Sequence, residues 1–350
     1  MANLFSAIGM DETRTFRGSW FSHRINLRVM ALIILCIAIL ILLMLYAITL
    51  GAVPLTIRQV WDATWGEGDS RTLLVVRTLR WPRIGAAVVI GAALALSGML
   101  FQGIARNPLV SPDIIGIDAG ATVVAVSWII LTRDTSGLPL VTFLGAIVTA
   151  MVIYLLSWRK GASPNRMILV GIGISSMAGA VTSFMLVKYP LEQIRPAVVW
   201  TMGSIYGSTW RDVVIPGAVI LVTLPFAILL MQPLRAMSLG DNVTKSLGIP
   251  LESTRLAVII IGCALASVAV AFAGPIGFIA LMVPHMARMI AGPQSGGVLV
   301  LTGLLGGIML LVSDTVALHF LPVSLPVGVV TSAVGAPYFL YLLYRSNSSM

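Results

Sequence analysis

The sequence predicts an all-α polytopic membrane protein of about ten transmembrane helices, built on an inverted internal repeat. Three observations carry that prediction. Only 10% of the 350 residues are charged and 58% are hydrophobic, whereas a soluble globular chain carries roughly 25% charge. Long charge-free apolar runs recur along the chain. One apolar motif occurs twice, in runs expected to cross the membrane in opposite directions. So few charges cannot solvate a water-soluble fold, which excludes a soluble enzyme, a nucleic-acid-binding domain and a disordered scaffold. The formal charge of +9 suits cationic loops lying against anionic lipid. No basic stripe with interleaved aromatics points to nucleic acid.

A spanning helix needs about 20 mostly apolar residues. Runs at 29–50, 84–104, 138–158, 167–187 and 213–231 meet that length without a charge. The first is longer than the roughly 7–15-residue apolar region of a signal peptide, and no cleavage site follows, so it reads as an anchor. Asp118 precedes a shorter run, 119–132, which reaches membrane length only with part of the preceding Pro/Gly-rich turn. The run 256–287 is too long for one span, since its 32 charge-free residues would extend roughly 48 Å against a ~30 Å core. Ala273-Gly274-Pro275 divides it, because proline removes a donor and clashes with the preceding turn. The second half, 276–290, is then unusually short. Pro322 and Pro326 cut the last charge-free stretch, leaving 297–318 and 327–344 as the ninth and tenth spans.

Ten spans put both termini on one side. Counting Lys and Arg in the loops places that side in the cytoplasm, with 13 of the 22 cations there. The chain then divides into a cytoplasmic N-terminal segment (1–28), a ten-helix domain (29–345) with a long cytoplasmic loop at 232–255, and a short tail (346–350). Five external cations, Arg58, Arg71, Arg77, Arg80 and Arg83, cluster in one segment against the topogenic trend, which invites a functional explanation. Ile90-Gly91-Ala92-Ala93-Leu94-Ala95 nearly repeats as Ile261-Gly262-Cys263-Ala264-Leu265-Ala266, in spans two and seven. Inverted repeats are common in transporters, with the pathway near the repeat interface.

No enzymatic constellation is present. His23, His285 and His319 are isolated, no HExxH spacing exists and no GxSxG elbow has triad partners. Cys36 and Cys263 sit in apolar runs and read as core residues. Gly171-Ile172-Gly173 and the pairs Gly116/Gly120 and Gly303/Gly307 read as close helix packing. Gly-Lys occurs nowhere, so the chain has no P-loop with which to hydrolyse ATP. Ion-driven carriers usually place carboxylates within their spans. Here Asp314 is the single clear intramembrane acid, read as unpaired, and Asp118 reads as a helix cap. That shortage favours an external energy source. Two cytoplasmic segments stand out: Arg106-Asn107-Pro108-Leu109-Val110-Ser111-Pro112, and 238–250. In the latter, Leu239, Val243 and Leu247 are four apart and form one stripe of a short amphipathic helix ended by Gly248 and Pro250. Its mixed polar face (Asp241, Asn242, Lys245, Ser246) favours a protein partner over lipid.

Arg80-Trp81-Pro82-Arg83, Gly91-Ala92-Ala93-Leu94-Ala95-Leu96-Ser97-Gly98, Gln102 and Arg106-Asn107-Pro108-Leu109 together resemble the FecCD family. These are permease subunits of bacterial ABC importers for ferric siderophores, haem and cobalamin. Leu239-Gly240 through Leu247-Gly248-Ile249-Pro250, Gly274-Pro275-Ile276-Gly277-Phe278-Ile279 with Pro284-His285 and Arg288, and Leu325-Pro326-Val327-Gly328-Val329-Val330-Thr331 extend the match. It runs in order and spacing over about 29–345, and looks most like the ferric-siderophore permeases.

The resemblance implies a permease of the cobalamin/siderophore type in the bacterial inner membrane. Two such subunits, identical or paralogous, would enclose a pathway. Two ABC ATPases would dock inside, carrying ATP and Mg, and a siderophore-binding protein would dock outside. The chain itself would hold no cofactor and no metal. Carried over by position, 238–250 would be the segment seated in the ATPase cleft, with Leu239, Gly240, Asp241, Thr244, Lys245, Leu247 and Gly248 at the contact. Arg80 and Arg83 match external arginines that pair with acids of the binding protein. A further family arginine falls on Leu318 here, beside His319, so docking rests on Arg80 and Arg83. Asn107 and Leu109, with Ser163 and Pro164, match the cytoplasmic gate. The expected cargo is an iron(III)-siderophore, with cobalamin and haem as rivals within the family. Outside the family the rival is an ion-coupled carrier. A bulky chelate needs a weakly binding wall, so no substrate-binding residue is named.

Overall fold

The computed structural model describes residues 13–17, 22–51, 53–133, 136–158 and 164–347. A hairpin pairs β1 (Thr13–Arg17) antiparallel with β2 (Ser22–Asn26). It leads into α1 (Leu27–Thr49), where Asn26 Oδ1 accepts from the Arg28 amide at 2.9 Å and caps the first turn. α2 (Ile57–Trp65) and α3 (Ser70–Leu73) lie in the first connection. A π-helical stretch, Leu74–Arg80, joins α3 to α4 (Trp81–Ala105) as one rod. There the Trp81 amide bonds Val76 O, five residues back. The wide turn relieves the missing N–H and carbonyl clash that Pro82 would impose on a regular helix.

The remaining helices are α5 (Pro112–Ile115), α6 (Ile117–Thr132), α7 (Leu138–Ser157), α8 (Pro164–Lys188), α9 (Leu191–Thr201) and α10 (Trp210–Met237). They continue with α11 (Asp241–Ser246), α12 (Leu251–Ala273), α13 (Ile279–Ala291), α14 (Gly296–His319) and α15 (Val327–Asn347). Each of the ten expected spans coincides with one helix. Among the described residues, seven helices are long and apolar enough to cross a membrane, and α6, α13 and α15 are shorter apolar helices.

α4 and α12, which carry the two copies of the repeat, form the buried centre. They run antiparallel, because the C-terminal end of α4 meets the N-terminal end of α12 through Arg106, Asp241 and Arg255. Ser97 donates to Gly262 O across them at 2.7 Å. Backbones approach where side chains are absent: a Cβ on Gly98 would fall 1.8 Å from Ala280 O, and one on Gly91 2.3 Å from Gly306 O. Interhelical packing in a membrane depends on such small residues. Gly116, Gly120, Gly171, Gly303 and Gly307 are likewise in close contact, but a Cβ on Gly173 would meet nothing within 4 Å among the described residues, so that glycine does not mark a close approach.

The Gly274-Pro275 break is real. Gly274 (φ +70°) and Phe278 (φ +69°) bracket an unwound segment between α12 and α13. The Ser204 amide bonds Ala273 O at 2.7 Å, and the Gly328 amide bonds Gly203 O at 3.1 Å. Irregular backbone at membrane depth survives where protein covers it, and these contacts supply that cover.

Two further expectations need correction. Asp118 does not cap α6. The cap position belongs to Gly116 in the left-handed region, and Asp118 lies buried in the first turn with Oδ1 unpartnered among the described residues. Asp314 is not unpaired, since Arg83 reaches it from 231 residues away.

Candidate functional site

At one end of the bundle, 238–250 forms a fixed platform. Gly240 (φ +112°) turns the chain out of α10 and Gly248 (φ +75°) turns it toward α12, at angles that disfavour residues with a Cβ. Thr244 is fully buried, and its hydroxyl donates toward Gly240 O at 2.8 Å or Ala236 O at 3.1 Å. Thr244 therefore anchors the segment from beneath and presents no side chain to a partner. One residue round the helix the stripe faces outward: Leu239, Val243 and Leu247 are 67%, 45% and 61% exposed. Lys245 and Gly248 are exposed beside it.

Asp241 locks the platform to its surroundings. It accepts from Arg106, at the C-terminal end of α4, and from Arg255 of α12 at 2.8 Å. Arg255 also reaches Glu252 at 3.1 Å. Partial burial pushes the Asp241 carboxyl up, but the hydrogen bonds and charges of Arg106 and Arg255 outweigh it and hold the group below its ordinary range. One carboxylate thus ties α4, α11 and α12 together, which leaves the exposed apolar stripe on a rigid support.

Next to this cluster lies the turn after α4. Arg106 adopts φ +52°, and Asn107 Oδ1 accepts from the Leu109 amide at 2.9 Å, a local side-chain turn that fixes the loop. Asn107 is exposed and Leu109 half-buried. Ser163 lies outside the described residues, and Pro164 opens α8.

The opposite end holds the two arginines singled out by sequence. Arg80 donates to Ile48 O at 2.7 Å and Val53 O at 2.6 Å, closing the end of α1. Arg83 makes two parallel bonds to Asp314, each 2.8 Å, with side chains only 15% and 6% exposed. Its guanidinium also lies 5.3 Å from the centre of the Tyr206 ring. A cavity of about 320 Å³ opens beside them, lined by both arginines, Asp314, Thr315 and His319. Sequence alone could not reveal these commitments. The carbonyl partners carry no side-chain signal, and the ion pair spans most of the chain.

Residues 39–345 match the profile of the FecCD transport family. The chain is 36% identical over 343 residues to the achromobactin transport system permease protein CbrC of Dickeya dadantii, covering 97% of this chain and 98% of that one. It is 38% identical over 299 residues to the ferric enterobactin transport system permease protein FepG of Escherichia coli, covering 85% and 90%. It is 36% identical over 298 residues to the cobalamin import system permease protein BtuC of Halobacterium salinarum, covering 84% and 80%. A solved inward-facing transporter assigned to the metal-chelate ABC type superposes with a TM-score of 0.82 at 29% identity, covering 90% of this chain and 99% of that one.

Proposed function

The chain belongs to the FecCD transport family, and from that premise we propose that it carries an iron(III)-siderophore across the bacterial inner membrane. It is a multi-pass permease of the metal-chelate ABC importer type, not an enzyme. In the proposed arrangement both termini are cytoplasmic. Two ATPase subunits, which hold ATP and Mg, dock at the 238–250 platform. A second permease, identical or paralogous, completes the pathway, and an extracytoplasmic binding protein docks at the Arg80/Arg83 end. This chain binds no cofactor.

The observation that carries the reading is the outward face of Leu239, Val243 and Leu247 on a support braced by Asp241. An exposed apolar stripe on a short helix is expensive in water and marks a protein contact. α10 enters the platform and α12 leaves it, while Arg106 connects it to α4. A push from a closing ATPase dimer would therefore reach three spans at once. The Thr244 anchor keeps the segment from sliding under that load. At the other end, Arg83 has its counter-charge in Asp314, whereas among the described residues Arg80 is bound by neutral carbonyls. Arg80 would thus supply most of the attraction to an acidic partner.

The rival cargo is cobalamin, favoured by the likeness to a relative named for cobalamin import. Co-purification from native membranes followed by mass spectrometry of the intact complex tests the assignment. The expected result is this chain with two ATPase subunits and a second permease, retaining a ferric chelate. A retained corrinoid would move the cargo to cobalamin. Isolation as a complex without any ATPase would overturn the reading.

A further inference from the structure

We propose that α2 is an interfacial helix that seats Ile57, Trp61 and Trp65 in the headgroup region of the phospholipid bilayer and so fixes the height of the start of α4. The helix is built to stand alone: Thr56 and Gln59 form a reciprocal capping box, and Gly66 closes the C-terminal end in the left-handed region. At about 100° per residue, its nine residues divide into three strips. Val60 and Ala63 are buried against the protein. Arg58 and Asp62 form a polar strip, with the Arg58 side chain 92% exposed. Between the two lie Ile57, Trp61 and Trp65, four residues apart and 68%, 64% and 71% exposed.

An inner protein side, an apolar aromatic flank and a charged outer side suit a helix lying in the membrane plane. Tryptophan, with an apolar body and a polar N–H, concentrates at that depth. Two contacts place α2 at the boundary independently of its composition. Trp81 Nε1, at the first residue of α4, donates to Thr64 of α2 at 2.9 Å. Trp210 Nε1, where α10 begins, donates to Arg77 O in the π-helical stretch at 3.1 Å. Both spans therefore start at the level of this connection. The Trp81–Thr64 bond also transmits any lipid anchoring of α2 to α4, and with it to Arg80 and Arg83.

The test is site-directed spin labelling of the full chain in phosphatidylcholine nanodiscs. Single cysteines replace Arg58, Trp61 or Trp65 in a chain whose own Cys36 and Cys263 are buried. Labels at 61 and 65 should collide several-fold more with oxygen than with a water-soluble nickel chelate, and the label at 58 should show the reverse. Access at 61 and 65 equal to that at 58 would place the face in water. Exclusion of both reagents would mean that a protein surface covers it. Either result overturns the proposal. A second measurement does not depend on labelled variants folding. Phosphatidylcholine brominated near the top of its acyl chains should quench wild-type tryptophan fluorescence more than that of Trp61→Phe/Trp65→Phe, and equal quenching would contradict the assignment.

Discussion

Replacing Asp314 by alanine should destabilise the chain through the charge it strands. Arg83 and Asp314 share two bonds of 2.8 Å, with 15% and 6% of their side chains exposed. Removing one partner of a buried pair costs about 3–5 kcal/mol, because the other charge stays buried without compensation. Two features put Asp314→Ala near the lower limit. The adjoining cavity of about 320 Å³ can admit water to the guanidinium, and the Tyr206 ring remains beneath it. At roughly 2–4 °C per kcal/mol for mid-sized domains, a loss near 3 kcal/mol lowers the unfolding midpoint by about 6–12 °C. Thermal unfolding of both proteins in one detergent measures this, with Cys263, which is 5% exposed, as a thiol-labelling reporter. Arg83→Leu/Asp314→Ala removes both charges and should recover most of the loss. An unchanged midpoint in Asp314→Ala would refute the ion pair. A double variant as unstable as the single would refute the stranded charge as the cause.

The other predictions concern the platform and the core. Changing Leu239, Val243 and Leu247 together to serine should leave the unfolding midpoint within a degree or two, as for most exposed sites, while abolishing ATP-driven uptake in vesicles with the partner ATPase. Because the Asp241 carboxyl is held below its ordinary value of ~3.9, its contribution is present above that pH and lost as pH falls through the depressed value. Asp241→Asn should therefore lose about 1 kcal/mol or less at pH 7, a modest figure because the carboxylate is 42% exposed. The gap between variant and wild type should close only below pH ~4, as read from midpoints over a pH series. Gly98→Ala forces a Cβ to 1.8 Å from Ala280 O and should cost about 3 kcal/mol or more. Gly173→Ala, with open space around it, should be neutral or slightly stabilising, as compared by unfolding midpoints.

The spans were legible because a bilayer imposes a length on every charge-free run, and proline or glycine marks where a run must be divided. The same logic could not find α9, which carries Glu192, Arg195 and an internal Pro196 and so has neither the length nor the hydropathy of a span. Neither the terminal hairpin nor the π-helical stretch left a signal, since both depend on local geometry rather than residue type. Asp118 looked like a cap because an acid stood before an apolar run, yet Gly116 could adopt the positive φ that the turn required. The platform was visible as a four-residue period. Its bracing was not, because Arg106 and Asp241 are 135 residues apart in sequence. Arg83 illustrates the limit most clearly: an arginine read as external and assigned to docking finds an acid within its own chain.

The most direct measurement is uptake of a radioiron-labelled ferric siderophore into proteoliposomes holding this permease with its partner ATPase and binding protein. The account predicts uptake that requires ATP on the platform side, persists when proton and sodium gradients are collapsed, and disappears in the Leu239/Val243/Leu247 serine variant. Uptake driven by an ion gradient with no ATPase present would contradict it.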